Sequence, residues 1–103
     1  MIQIDGNTYV LKYSLRNYFV FENLAGRIYE LGRMSDEYLL FYSTLLACNP
    51  TFGLSFDEFI DRCDADPNLF IAYIDFFTKA VKIQSQLIQG DEVKKKRKEK
   101  KSA

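Results

Sequence analysis

The run Ser35-Asp36-Glu37-Tyr38-Leu39-Leu40-Phe41-Tyr42-Ser43-Thr44-Leu45-Leu46-Ala47-Cys48-Asn49, halted by Pro50, constrains the fold more than any other stretch of the chain. Ser35 is a residue type that caps the free N–H groups of a helix, Asp36 and Glu37 set negative charge at its positive end, and Pro50 cannot extend it. The stretch therefore reads as a helix over 35–49. Its apolar residues Leu39, Leu40, Phe41, Tyr42, Leu45, Leu46 and Cys48 occupy most of the circumference, so other elements must cover it on several sides. It is shorter than the roughly 20 residues that cross a bilayer, and the cover has to be protein.

A chain of 103 residues is expected to form one domain, hiding roughly 65% of its unfolded surface. Nine Phe and seven Tyr, with no Trp, make that core aromatic, several Tyr being expected to bury the ring and keep the hydroxyl wet. Cys48 and Cys63 lie in apolar helical surroundings without ligand spacing, which predicts free buried thiols in a reducing compartment. The opening Met1-Ile2-Gln3-Ile4-Asp5-Gly6 has neither a basic region nor a long apolar run, and no membrane or secretion signal is expected; the predicted location is cytoplasmic. The net charge of zero conceals a split: residues 1–90 carry seven Lys/Arg against eleven Asp/Glu, whereas 91–103 carry seven against three. An acidic body thus bears a basic tail.

Ile2-Gln3-Ile4 alternates, Asp5-Gly6-Asn7 is turn chemistry, and Thr8 to Tyr13 is β-branched and aromatic, so residues 2–13 read as a hairpin. Two strands alone are marginal in water, and this pair must lay one face on the helices or pair its edge with another chain. Ser14 is the expected cap of a helix over 15–25, with Tyr13 and Tyr18 as a hydrophobic staple and Gly26 as a left-handed terminator. Leu15, Tyr18, Phe19, Phe21 and Leu24 fit one broad apolar face of that helix. Arg27 to Met34 reads either as a short strand through Ile28, Tyr29 and Leu31 or as a segment lying across the core. Ser55 and Glu58 form a capping box that starts a helix over 56–63, burying Phe56, Phe59, Ile60 and Cys63. Asp66-Pro67 starts a last helix, over 67–89, with a stripe of Phe70, Tyr73, Ile74, Phe77, Val81 and Leu87 or Ile88 and with Ile71 and Phe76 off it. Gly90 ends it. The predicted fold is α+β and mainly α: an N-terminal hairpin packed on about four helices, one domain over 1–90, and a flexible, disordered lysine-rich tail over 91–103.

The chain has no His, and neither its serines nor its cysteines have an imidazole to activate them. Asp57, Asp61 and Asp64 share a helix face as a solvated surface does, and no catalysis is expected. Asp64, Asp66 and Asn68 match the first ligands of a calcium loop, but Leu69 stands where that loop needs Gly and Pro67 stiffens it, so Asp66 reads as a helix cap. No metal or other cofactor is expected. Lys94, Lys95, Lys96, Arg97, Lys98, Lys100 and Lys101 could meet phosphates, yet no aromatic is interleaved with them; nucleic acid is not the expected partner, and a solubilising or steering tail is the simpler reading.

Three stretches carry a resemblance. Ile2 to Tyr13 fits I-x-I-x-G-x-x-Y-x-L-K, the run Tyr18 to Gly26 fits F-x-x-E-x-x-x-G with Glu22 and Gly26 at its fixed positions, and Leu54 to Asp61 continues the likeness. Together they resemble the small tail assembly chaperones of long-tailed phages and prophages. The resemblance implies a non-catalytic protein that coats the helical tape-measure protein, brings tail-tube subunits to it, and leaves the finished tail. It also implies apolar contact surfaces, with Phe19, Phe70, Phe76 and Phe77 as the expected partner-binding residues and homo-oligomers as a way of presenting them. Family members are often made in two lengths by frameshifting, and an adenine-rich slippery site could encode Lys94-Lys95-Lys96. A nucleic-acid-associated regulator and a structural virion connector are the competing functions.

Overall fold

The computed structural model describes residues 1–83. Two short antiparallel strands, β1 (Ile2–Ile4) and β2 (Asn7–Tyr9), precede helices α1 (Leu15–Ala25), α2 (Met34–Cys48) and α3 (Phe56–Ala65), and residues 68–83 form a further helix, α4. The expected class and element order are found, with α2 in the centre. The proposed helix end at Gly90 and the tail over 91–103 lie outside the described residues.

The hairpin pairs Ile2 with Tyr9, Gln3 with Thr8 and Ile4 with Asn7. Asp5 and Gly6 both adopt positive φ, 54° and 79°, the mirror-image turn whose twist suits a two-residue hairpin. Ile2 and Ile4 enter the core. The second strand ends at Tyr9, short of the expected Tyr13, because another partner serves the backbone that follows. The Asn49 side chain accepts from the Val10 N–H at 2.8 Å and donates to the Val10 carbonyl at 2.9 Å, and Asn17 Nδ2 donates to the Lys12 carbonyl at 2.7 Å. Both asparagines are buried, and they take up backbone groups that a third strand would otherwise have to pair.

Helix α1 keeps its expected bounds, and Gly26, at φ 73°, closes it by donating its N–H to the Glu22 carbonyl at 2.8 Å. Its start differs from expectation. Ser14 occupies the cap position but makes no capping bond, its hydroxyl donating instead to Asn17 Oδ1 at 3.0 Å. Tyr13 and Tyr18 do meet, ring edge to ring face at 5.9 Å with hydroxyls 2.9 Å apart. The single apolar face does not form: α1 buries Asn17 and Phe21 and leaves Leu15, Phe19 and Leu24 exposed.

Helix α2 begins at Met34 with Arg33 at its cap position, so Ser35 sits inside the first turn and caps nothing. A loop bond from the Arg33 N–H to the Glu30 carbonyl, 3.3 Å, and one from the Glu37 N–H to the Arg33 carbonyl, 3.0 Å, carry the first turn back past Ser35. Leu40, Phe41 and Leu45 are fully enclosed, together with Ser43 and Thr44. The two hydroxyls avoid a desolvation cost by donating one turn back, to the Leu39 and Leu40 carbonyls at 2.7 and 2.8 Å. Phe41 is the hub. It stacks on Tyr73 of α4 at 4.4 Å and receives Phe59 of α3 edge-on at 4.9 Å. Sequence spacing places these rings on one side of each helix, and α2 is where the three stripes converge.

The capping box of α3 is complete, the Glu58 N–H reaching Ser55 Oγ at 3.2 Å and the Ser55 N–H reaching Glu58 Oε1 at 3.0 Å. Beyond Asp66, whose carboxylate accepts the Asn68 N–H at 3.1 Å, α4 opens one residue later than expected and buries Leu69 and Tyr73. Among the described residues no helix is long and apolar enough to cross a membrane.

Candidate partner-binding surfaces

The segment between α1 and α2 is neither a strand nor a core-spanning piece. It is a loop held by a single carboxylate. Asp36 accepts from Arg27 Nη1 at 2.7 Å, from Arg27 Nη2, and from the Glu30 N–H at 3.0 Å, and only 1% of its side chain is exposed. The Arg27 guanidinium holds the Asp36 carboxyl below the usual carboxylate range, and the Glu30 N–H assists. A buried carboxylate survives here because both of its oxygens are occupied. The loop's one inward side chain, Tyr29, packs edge-on against Phe21 and Tyr18 at 5.5 and 5.8 Å, and burial pushes its hydroxyl up to about 12.

With Tyr29 committed inward, the remaining apolar residues of the loop face out. Ile28 is 74% exposed, Leu31 76% and Met34, at the start of α2, 70%. On α1, Leu15 and Phe19 stand one turn apart and are 73% and 61% exposed. Single exposed apolar side chains are ordinary, whereas groups of them on adjoining elements mark contact surfaces. Periodicity alone places Leu15, Phe19 and Leu24 inside. For Leu15 and Phe19 the signal that corrects it is Asn17, whose amide is needed to serve the Lys12 carbonyl and turns the opposite side of α1 to solvent; Leu24 lies on the Asn17 side, in the last turn of α1, and is 50% exposed there.

Of the four expected contact residues, Phe19 is the accessible one. Phe70 lies flat on Tyr38 at 4.0 Å, Phe77 fills the space between Tyr13 and Tyr73 at 5.8 Å from each, and Phe76 leans on Tyr73 at 6.2 Å. These three are half-buried around Tyr73 on α4 and form the margin of the core, away from Phe19 on α1. The basic residues Lys94, Lys95, Lys96, Arg97, Lys98, Lys100 and Lys101 lie outside the described residues.

A second surface has no counterpart in the sequence pattern. Met34, Ser35 and Tyr38 of α2 face Phe56, Ile60, Cys63 and Asp64 of α3 across an open cleft of about 340 Å³. Its floor is aromatic and aliphatic, and Cys63 sits there as a free thiol that burial pushes up to about 11. At neutral pH that thiol is protonated and weakly nucleophilic. Among the described residues no group of three or more His, Cys, Asp or Glu is arranged to hold a metal ion. The arrangement suits apolar contact bordered by charge. Set against known proteins, the chain matches no family model, no curated protein and no solved structure.

Proposed function

We propose that this protein is a tail assembly chaperone of a long-tailed phage or prophage, binding the tape-measure protein, helping to recruit tail-tube subunits, and performing no catalysis. The observation that supports the reading is the solvent-facing apolar set Leu15, Phe19, Ile28, Leu31 and Met34 on a body whose own core is already closed around Phe41. A chaperone for a long amphipathic helix needs apolar surface that its own fold leaves open, and the sequence likeness of residues 2–13, 18–26 and 54–61 names the class. On this reading it works in the bacterial cytoplasm, alone or as a homo-oligomer, and is absent from the finished virion.

Co-expression with the tape-measure protein encoded nearby tests the proposal. Capture of that protein, reduced at least tenfold by Leu15→Ser/Phe19→Ser while the melting curve is unchanged, is the expected result. Retention of the chain in purified particles would identify a structural connector instead. Salt-sensitive nucleic-acid binding, lost on removal of residues 91–103, would identify a regulator that uses its basic tail.

A further inference from the structure

The cleft between α2 and α3 is asymmetric in charge, and the asymmetry specifies an occupant. One wall, Met34, Ser35 and Tyr38, carries no charge; the other ends in Asp64. Asp57, Asp61 and Asp64 recur at i, i+4 and i+7, which sets them in a row along that edge of α3, and all three are exposed. Among the described residues none of them takes part in an ion pair, whereas Arg62, on another side of the same helix, is engaged by Asp5 at 2.8 Å. The row therefore repels itself in the free protein and is relieved by any cation laid along it.

The geometry points to an amphipathic helix of a partner protein as the occupant, its apolar face in the cleft and a flank of Lys or Arg along Asp57, Asp61 and Asp64. An open cleft with an apolar floor and few convergent polar groups accommodates a row of side chains better than a small polar molecule. Lysine and arginine heads suit the rim because their methylene stems cover the apolar edge while the charge reaches the carboxylates. The inference deepens the proposed function by adding a second helix-binding surface, separate from the one that carries Leu15 and Phe19, and it rests on that reading only for the biological source of the helix.

The test uses the full chain and two labelled 18-residue helical peptides with the same leucine face, one flanked by lysine and the other by glutamate. The lysine peptide is expected to bind with tenfold or greater preference and to weaken with salt, shifting the amide resonances of Met34, Tyr38, Ile60 and Cys63. Asp61→Lys/Asp64→Lys should reverse the preference without lowering the melting temperature, since both sites are exposed and cations near the C-terminal end of a helix are favourable. Equal binding of the two peptides, no binding, unchanged preference in the variant, or shifts centred on Leu15 and Phe19 overturns the proposal. So does binding seen only after residues 84–103 are removed, which would make the chain's own C-terminal residues the occupant, or only on dilution, which would make it a second copy. Capture of a tape-measure protein that survives Asp61→Lys/Asp64→Lys would remove the cleft and leave the chaperone reading standing. Peptide binding without such capture would do the reverse.

Discussion

The Asn49 amide faces the Val10 peptide as a neighbouring strand would, accepting a hydrogen bond from its N–H at 2.8 Å and donating one to its carbonyl at 2.9 Å, while the same amide nitrogen donates to the Leu45 carbonyl at 3.0 Å. One side chain thus closes the C-terminal end of α2 and satisfies the backbone leaving the hairpin. Asn49→Ala strands groups on both, and a loss of about 2–3 kcal/mol is expected. Asn49→Asp should be no better at neutral pH, since a carboxylate cannot donate to either carbonyl. Urea unfolding of the three proteins measures both effects.

Phe41 and Phe19 sit at opposite extremes of environment: the first is fully enclosed, the second 61% exposed. Phe41→Ala removes a stacked partner of Tyr73 and leaves a cavity costing about 3–5 kcal/mol, a large share of what a small domain has. Phe19→Ser should stay within about 0.5 kcal/mol of wild type. If Phe19→Ser unfolds the protein at a comparable denaturant concentration to Phe41→Ala, the outward setting of Phe19 on α1 is wrong.

Ser55 and Ser35 offer a matched test of capping. Ser55→Ala opens the capping box of α3 and should cost about 1 kcal/mol. Ser35→Ala should change almost nothing, because α2 starts before it. Thermal melts of the two variants separate these outcomes directly.

The acid limb of stability is expected to depend on Asp36. Its carboxyl titrates lower in the folded chain than in the unfolded one because of Arg27, so the ion pair's contribution is complete above the unfolded value near 4. It is lost as pH falls through the folded value. Glu58, lowered by the Ser55 N–H, adds in the same direction. Asp36→Asn should therefore be less stable than wild type at pH 7, with the gap narrowing below about pH 4. A gap independent of pH would rule the ion pair out as the cause.

The alkaline limb belongs to groups raised by burial. Cys63, pushed up to about 11, and Tyr29, up to about 12, favour folding while protonated. Their contribution is whole below the unfolded values and fades as pH climbs toward the folded ones. Cys63→Ala should flatten the loss between about pH 9 and 11, read from melts across that range.

How much of the fold is legible from residue types depends on whether the determinant is local. The Asp5-Gly6 turn, the Gly26 terminator and the Ser55/Glu58 box each act within four residues, and each is found where the residue types place it. The stripe of α3 turns inward as well, and so do Phe70, Tyr73, Ile74 and Phe77 of α4, because their apolar residues recur at one spacing with charge opposite; Leu69 joins them, and Leu87 and Ile88 lie outside the described residues. Residue type misleads where a competing partner takes the group or shifts the helix start. Ser14 and Ser35 have the right chemistry for caps, but Asn17 takes the first hydroxyl and the loop closed by Glu30 carries α2 past the second. Periodicity turns the wrong face of α1 inward because Asn17 answers Lys12, and no local spacing announces that α2 and α3 leave a cleft between them.

The hairpin is tied down by partners far along the chain: Val10 to Asn49, 39 residues on, and Asp5 to Arg62, 57 residues on. Closing contacts across such separations is slow, whereas the capped helices assemble from neighbours. During synthesis residues 2–10 leave the ribosome before α2 and α3, and their ties cannot close until those helices have followed. Until then Ile2 and Ile4 remain uncovered, and the nascent chain offers a bare strand edge to whatever lies beside it.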